Sequence, residues 1–129
     1  MIWWYVALGS AVGGVARFAL ASLVQQRVGP NFPAGTLVVN ISGSFVLGLV
    51  LRYALGTQAI TPEVRVLLTT GFCGGYTTFS TFAYDTMLLL EEGQTPRAGL
   101  YVMLSVALSL AGAWLGILGG RALLAMRDA

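Results

Sequence analysis

The chain has 129 residues, 57% of them hydrophobic and only 9% charged, a balance far more apolar than that of an average soluble domain. That length allows one domain, and the four apolar blocks between short polar links are each long enough for the ~20 residues of a spanning helix. Seven arginines against five acids, with neither lysine nor histidine, give a net charge of +2 that is scattered along the chain, which excludes a basic nucleic-acid patch.

The first predicted span runs from Ile2 to about Gln26. Trp3, Trp4 and Tyr5 open it as rings suited to the headgroup level. Gly9 and Gly13 lie four apart and offer a face where another helix can come close. Arg17 follows Gly13 and Gly14, too far from the aromatic anchor to share its interface. A guanidinium at that depth either snorkels or lines water, because charge near a bilayer centre costs at least about 2.5–3.5 kcal/mol. No basic stretch precedes the first apolar run, so a cleaved signal peptide is not expected.

Gly29-Pro30 and Pro33 mark a turn, after which a second span is predicted from about Ala34 to Leu55. Thr36 and Asn40 share one face of it, with Gly43 and Ser44 on the next turn. The carboxamide of Asn40 must find partners at membrane depth, either as glue between helices or as a donor to a ligand. Thr61-Pro62-Glu63 reads as a helix start: a capping threonine, a proline at the first position and an acid in the first turn.

The third span is predicted over 62–91 with a break near 74–78, where Gly74-Gly75 and Thr77-Thr78 interrupt the apolar run. Lipid cannot satisfy non-helical backbone, so such a break must be covered by protein or by a water-lined cavity. Phe79 and Phe82 lie three apart on the resumed helix, beside the hydroxyls of Thr78, Ser80 and Thr81. Such a pair is either core packing or a ring surface for a ligand. Asp85 is placed one turn further on, to cap or pair near water. Cys73 has no second cysteine and no histidine with which to build a disulfide or a metal site, and reads as a small packing residue.

The fourth span is predicted over about 98–124. Tyr101, Ser105 and Ser109 recur every four residues and lead into Gly112 and Gly116 on nearly the same face. Arginines divide four to three between the two sides of the membrane, so the positive-inside rule barely orients the chain. An N-in protein and a chain inserted both ways, pairing antiparallel with itself, both fit that split.

The in-span polar groups are mainly donors: Asn40, Thr36, Tyr101, Ser105, Ser109 and Arg17. Donors select anions, and the positive edges of Phe79 and Phe82 can add to them. The run Gly71-Phe72-Cys73-Gly74-Gly75-Tyr76-Thr77-Thr78-Phe79-Ser80-Thr81-Phe82 resembles the signature of the CrcB/Fluc fluoride channel family. The run Gly35-Thr36-Leu37-Val38-Val39-Asn40 and the position of Arg17 after paired glycines are similar to that family too.

The resemblance implies an all-α membrane protein of four transmembrane helices, the third broken at mid-membrane, in an antiparallel, dual-topology homodimer. It implies a passive fluoride channel rather than an enzyme, with two pores per dimer, in the lipid of the bacterial inner membrane. The anion pore would be lined by Phe79, Phe82, Asn40, Thr36, Tyr101, Ser105 and Ser109, with Arg17 in the vestibule. A structural sodium ion (Na+) at the dimer centre would be held by the main-chain carbonyls of Gly74 and Thr77. Two departures stand out: Asp85 replaces a common glutamate, and Ala83 a frequent serine. A small multidrug-resistance-type exporter shares the size and span number, but needs a membrane-embedded acid in the first span, where this chain has Arg17. A non-transporting assembly protein, with glycine faces that only pack helices, is the third reading.

Overall fold

The computed structural model describes residues 1–128, and every regular element among them is helical. The elements are α1 (Ile2–Val28), α2 (Ala34–Leu55), α3 (Pro62–Val66), a π-helical segment π1 (Leu67–Cys73), α4 (Gly74–Tyr76), α5 (Phe79–Glu91) and α6 (Thr95–Asp128). Of these, α1, α2 and α6 are each long and apolar enough to cross a membrane. The chain is a multi-pass membrane protein. Both α1 and α6 run past the ends that the apolar pattern marks, because helical hydrogen bonding continues through the polar residues that flank the apolar run.

Local chemistry sets the element ends. The Thr61 hydroxyl accepts from the Val64 N–H at 3.3 Å, and Pro62 follows at the first helical position, so α3 starts as the sequence predicts. At the turn after α1, Gly29 takes φ 99°, a left-handed conformation that favours glycine. Thr78 starts α5 in the same way as Thr61 starts α3, its Oγ1 accepting from the Thr81 N–H at 3.2 Å.

Two glycine-lined contacts hold the bundle. The most extensive is between α2 and α6, where a Cβ added to Gly116 would lie 2.2 Å from the Phe45 carbonyl oxygen. The other joins α1 to π1 and α4, where a Cβ on Gly13 would lie 2.2 Å from the Phe72 oxygen and one on Gly75 2.6 Å from the Ser10 oxygen. At such distances only a missing side chain lets two backbones meet, which is how helices gain packing energy inside a membrane.

Gly74 and Gly75 remain helical; the extended residues are Thr77, at φ −85° and ψ 159°, and Thr78, at φ −152° and ψ 114°. Gly75 supplies close approach to α1 rather than backbone freedom. The π-helical register of Leu67–Cys73 precedes that extended pair and has no counterpart in the 3.6-residue apolar pattern.

Candidate functional site

The extended Thr77-Thr78 pair is fixed by side chains from both directions. Asn40 on α2 reaches across, its Nδ2 donating to the Thr78 carbonyl at 3.0 Å and its Oδ1 accepting from the Thr78 N–H at 2.8 Å. One carboxamide thus pairs with both main-chain polar groups of Thr78, the N–H of the peptide before it and the carbonyl of the peptide after it. Left bare at membrane depth, those groups would cost several kcal/mol. On the preceding side, the Thr77 N–H and hydroxyl both donate to the Cys73 carbonyl, at 3.0 and 2.9 Å. Tyr76 is buried, and its hydroxyl shares a 2.9 Å hydrogen bond with Ser42 of α2.

These same bonds release two carbonyls. In a continuous helix the Gly74 oxygen would accept from the Thr78 N–H and the Thr77 oxygen from the Thr81 N–H. Here Asn40 Oδ1 takes the first of those donors and Thr78 Oγ1 the second. The two main-chain oxygens named from the sequence as cation ligands are therefore without their helical donors. Hard cations of this kind take oxygen ligands, so the donor chemistry fits.

Beside the extended pair lies a groove of about 360 Å³, lined by Asn40, Ser44, Thr77, Thr78, Phe79, Phe82, Ser105 and Ser109 together with Leu47, Val106 and Leu110. No ionised side chain lines it. Five of the predicted pore residues, Asn40, Phe79, Phe82, Ser105 and Ser109, meet here from three helices. The rings of Phe79 and Phe82 lie 5.5 Å apart with a 54° tilt, and Phe79 is 79% exposed. Ser105 is buried, and its hydroxyl has no hydrogen-bond partner among the described residues. Asn40 keeps one Nδ2–H beyond the bond it gives Thr78.

The remaining predicted residues fall elsewhere. Thr36 lines a second, polar cavity of about 330 Å³, shared with Gln25, Phe32, Asp85, Glu92 and Gln94. Tyr101, with no exposed surface, belongs to the partition between the two spaces: its ring lies 5.2 Å from Phe82, and its hydroxyl donates to Asp85 Oδ2 at 3.0 Å. Asp85 thus pairs with a buried tyrosine and borders the second cavity. Arg17 is half-buried on α1 and lines neither space. Sequence reasoning missed Gln25 and Phe32, which sit on and beside the first turn. Their signal was weak, because a glutamine near a helix end and a phenylalanine in a turn are commonplace.

Comparison with known proteins gives the family. A family model described as "CrcB-like protein, Camphor Resistance (CrcB)" matches residues 4–117. The chain belongs to the CrcB family. Among its CrcB relatives, a Geobacter sulfurreducens protein named fluoride-specific ion channel FluC is 50% identical over 118 residues, covering 92% of the chain and 95% of the relative. A Geobacter metallireducens protein of the same name is 48% identical over 116 residues, covering 90% and 94%. A Coxiella burnetii protein, again of that name, is 47% identical over 119 residues, covering 92% and 96%.

Proposed function

We propose that the chain is the subunit of a fluoride-selective channel, through which the ion leaves the cytoplasm passively across the bacterial inner membrane. The observation that carries this reading is the Ser105 hydroxyl, a buried donor without an acceptor on an uncharged groove. Beside it stand the spare N–H of Asn40, the Ser109 hydroxyl and two phenylalanine rings, whose edges are positive. Such a set offers hydrogen to a small anion and little to a cation. Fluoride holds its hydration water tightly, so a selective path must replace several water donors at once. The names of the relatives support fluoride as the ion.

In this reading Phe79, Phe82, Asn40, Ser105 and Ser109 line the pore, Tyr101 and Thr36 continue it into the polar cavity, and Arg17 attracts anions from a vestibule. Two copies pair antiparallel and form two pores. The near-even, four-to-three division of arginines and the exposed ring of Phe79, which a second copy would cover, support that pairing. Thr77 lies at the centre of the 62–91 stretch, which supports a helix interruption at mid-membrane. The freed oxygens of Gly74 and Thr77 would hold a structural sodium ion shared between the copies, supplying a fixed positive charge between the pores. The multidrug-exporter reading is disfavoured because α1 contains no acid.

Purified protein in fluoride-loaded liposomes tests the reading. Fluoride should leave while chloride stays inside, and vesicles that retain their fluoride would sink it. For the ion site, replacing sodium with a large organic cation should lower flux. Unchanged flux and unchanged dimer stability would remove the sodium from the proposal.

A further inference from the structure

The second cavity is bordered by a turn held more tightly than a surface loop requires. Gln25, on the last turns of α1, makes two hydrogen bonds to it and one to α2: Nε2 donates to the carbonyls of Gly29, at 2.6 Å, and Phe32, at 2.8 Å, and Oε1 accepts from the Gly35 N–H at 3.1 Å. A single carboxamide thereby joins the end of α1, the turn and the first residues of α2. The turn carries Phe32, whose ring meets that of Tyr101 at 5.6 Å and 87°, an edge-to-face arrangement. Tyr101 also meets Phe82, at 5.2 Å and 49°, and its hydroxyl is bound to Asp85.

Resting on the channel reading above, we propose that the turn between α1 and α2, clasped by Gln25 and carrying Phe32, is a positioning element for the Tyr101 hydroxyl. A tyrosine swings about χ1, which carries its hydroxyl oxygen furthest, whereas χ2 only spins the ring about the axis through that oxygen. The rings of Phe32 and Phe82 both pack on that of Tyr101 and restrict the swing, and Asp85 holds the tip. Phe32 also borders the cavity, so truncating it would leave open space beside Tyr101 rather than a sealed void. Gln25 and Phe32 line the cavity but not the groove, and they act on permeation through where Tyr101 points. The device sets the partition between groove and cavity, which any ion passing from Ser105 towards Asp85 must cross.

Fluoride flux from liposomes is measured for Phe32→Leu, Phe32→Tyr and Gln25→Met, each alone and combined with Tyr101→Phe. Phe32→Leu and Gln25→Met should lower flux several-fold, and Phe32→Tyr, which keeps the ring, should recover most of what leucine loses. In the Tyr101→Phe background Phe32→Leu should cause no further loss, since the hydroxyl being positioned is gone. Ring-labelled tyrosine NMR gives a readout independent of transport: Phe32→Leu should shift and narrow the Tyr101 signal and leave Tyr5 and Tyr84 unmoved. Wild-type flux in both Phe32→Leu and Gln25→Met, or losses that add in full to that of Tyr101→Phe, would overturn the inference. Should Phe32→Leu fail to fold, Gln25→Met and Phe32→Tyr carry the same comparison. A wild-type protein without fluoride flux defeats the channel reading, whereas an unmoved Tyr101 signal defeats the positioning alone.

Discussion

Asn40 and Thr78, 38 residues apart, form a closed pair in which a side-chain amide takes the place of a neighbouring strand, donating to the Thr78 carbonyl and accepting from the Thr78 N–H. The relationship explains why an asparagine stands on an apolar helix. It also explains how Thr78 leaves helical geometry with its own N–H and carbonyl paired. Asn40→Ala should therefore act twice: it strips Thr78 of both partners, destabilising the folded protein by about 1–3 kcal/mol, and it removes a donor from the groove. A lowered melting temperature together with lowered fluoride flux is the expected pair of results. Lost flux at unchanged stability would mean that Thr78 finds other partners.

Much of the arrangement was legible in the sequence, and the residues show why the rest was not. Polar residues on apolar helices stood out, so Asn40, Ser105 and Ser109 could be grouped before their meeting in one groove was seen. Helix starts at Thr61 and Pro62 follow from local capping chemistry alone. The glycines were harder. The sequence places the interruption over 74–78, at Gly74-Gly75 and Thr77-Thr78 together, yet Gly75 is helical and serves contact with Ser10, while only the β-branched Thr77 and Thr78 take the extended backbone. Local composition cannot separate a glycine used for φ freedom from one used for approach, because the deciding neighbour lies on another helix. The cavity around Gln25 and Phe32 was hidden for the same reason: its walls come from α1, the turn after it, α2, α5 and the turn before α6.

The two uses of glycine can be separated on α1. Gly13→Ala places a methyl group 2.2 Å from the Phe72 carbonyl oxygen, and because that neighbour is backbone it cannot step aside cheaply. Overpacking of this kind costs about 1–3 kcal/mol or more. Gly14→Ala, one residue on, meets nothing within 4 Å and gains helix propensity. Thermal unfolding in detergent should show Gly13→Ala clearly destabilised and Gly14→Ala equal to or above the parent. Equal melting of the two variants would contradict the close α1–π1 contact.

The phenylalanine pair gives a test of ring chemistry against bulk. Phe79→Ile and Phe82→Ile keep an apolar side chain of comparable reach but remove the positive ring edge. Since Phe79 is largely exposed in the single chain, its replacement should leave the fold intact. Both variants should elute as the parent does and carry far less fluoride. Wild-type rates in both would return the pair to a packing role.

Ser105 separates structure from function most sharply, because the two roles predict opposite signs. A buried hydroxyl that holds a fold together loses stability when it is removed, by about 1 kcal/mol for a typical hydrogen bond. The Ser105 hydroxyl has no partner to lose, and its burial without one is itself unfavourable. Ser105→Ala should therefore leave the melting temperature unchanged or raise it, while fluoride flux falls as the groove loses a donor. Ser105→Thr keeps the hydroxyl and adds a methyl group, so it should retain more flux than alanine if the groove accommodates the added volume. A destabilised Ser105→Ala that conducts at the parental rate would show that the hydroxyl serves the fold and that the anion path lies elsewhere.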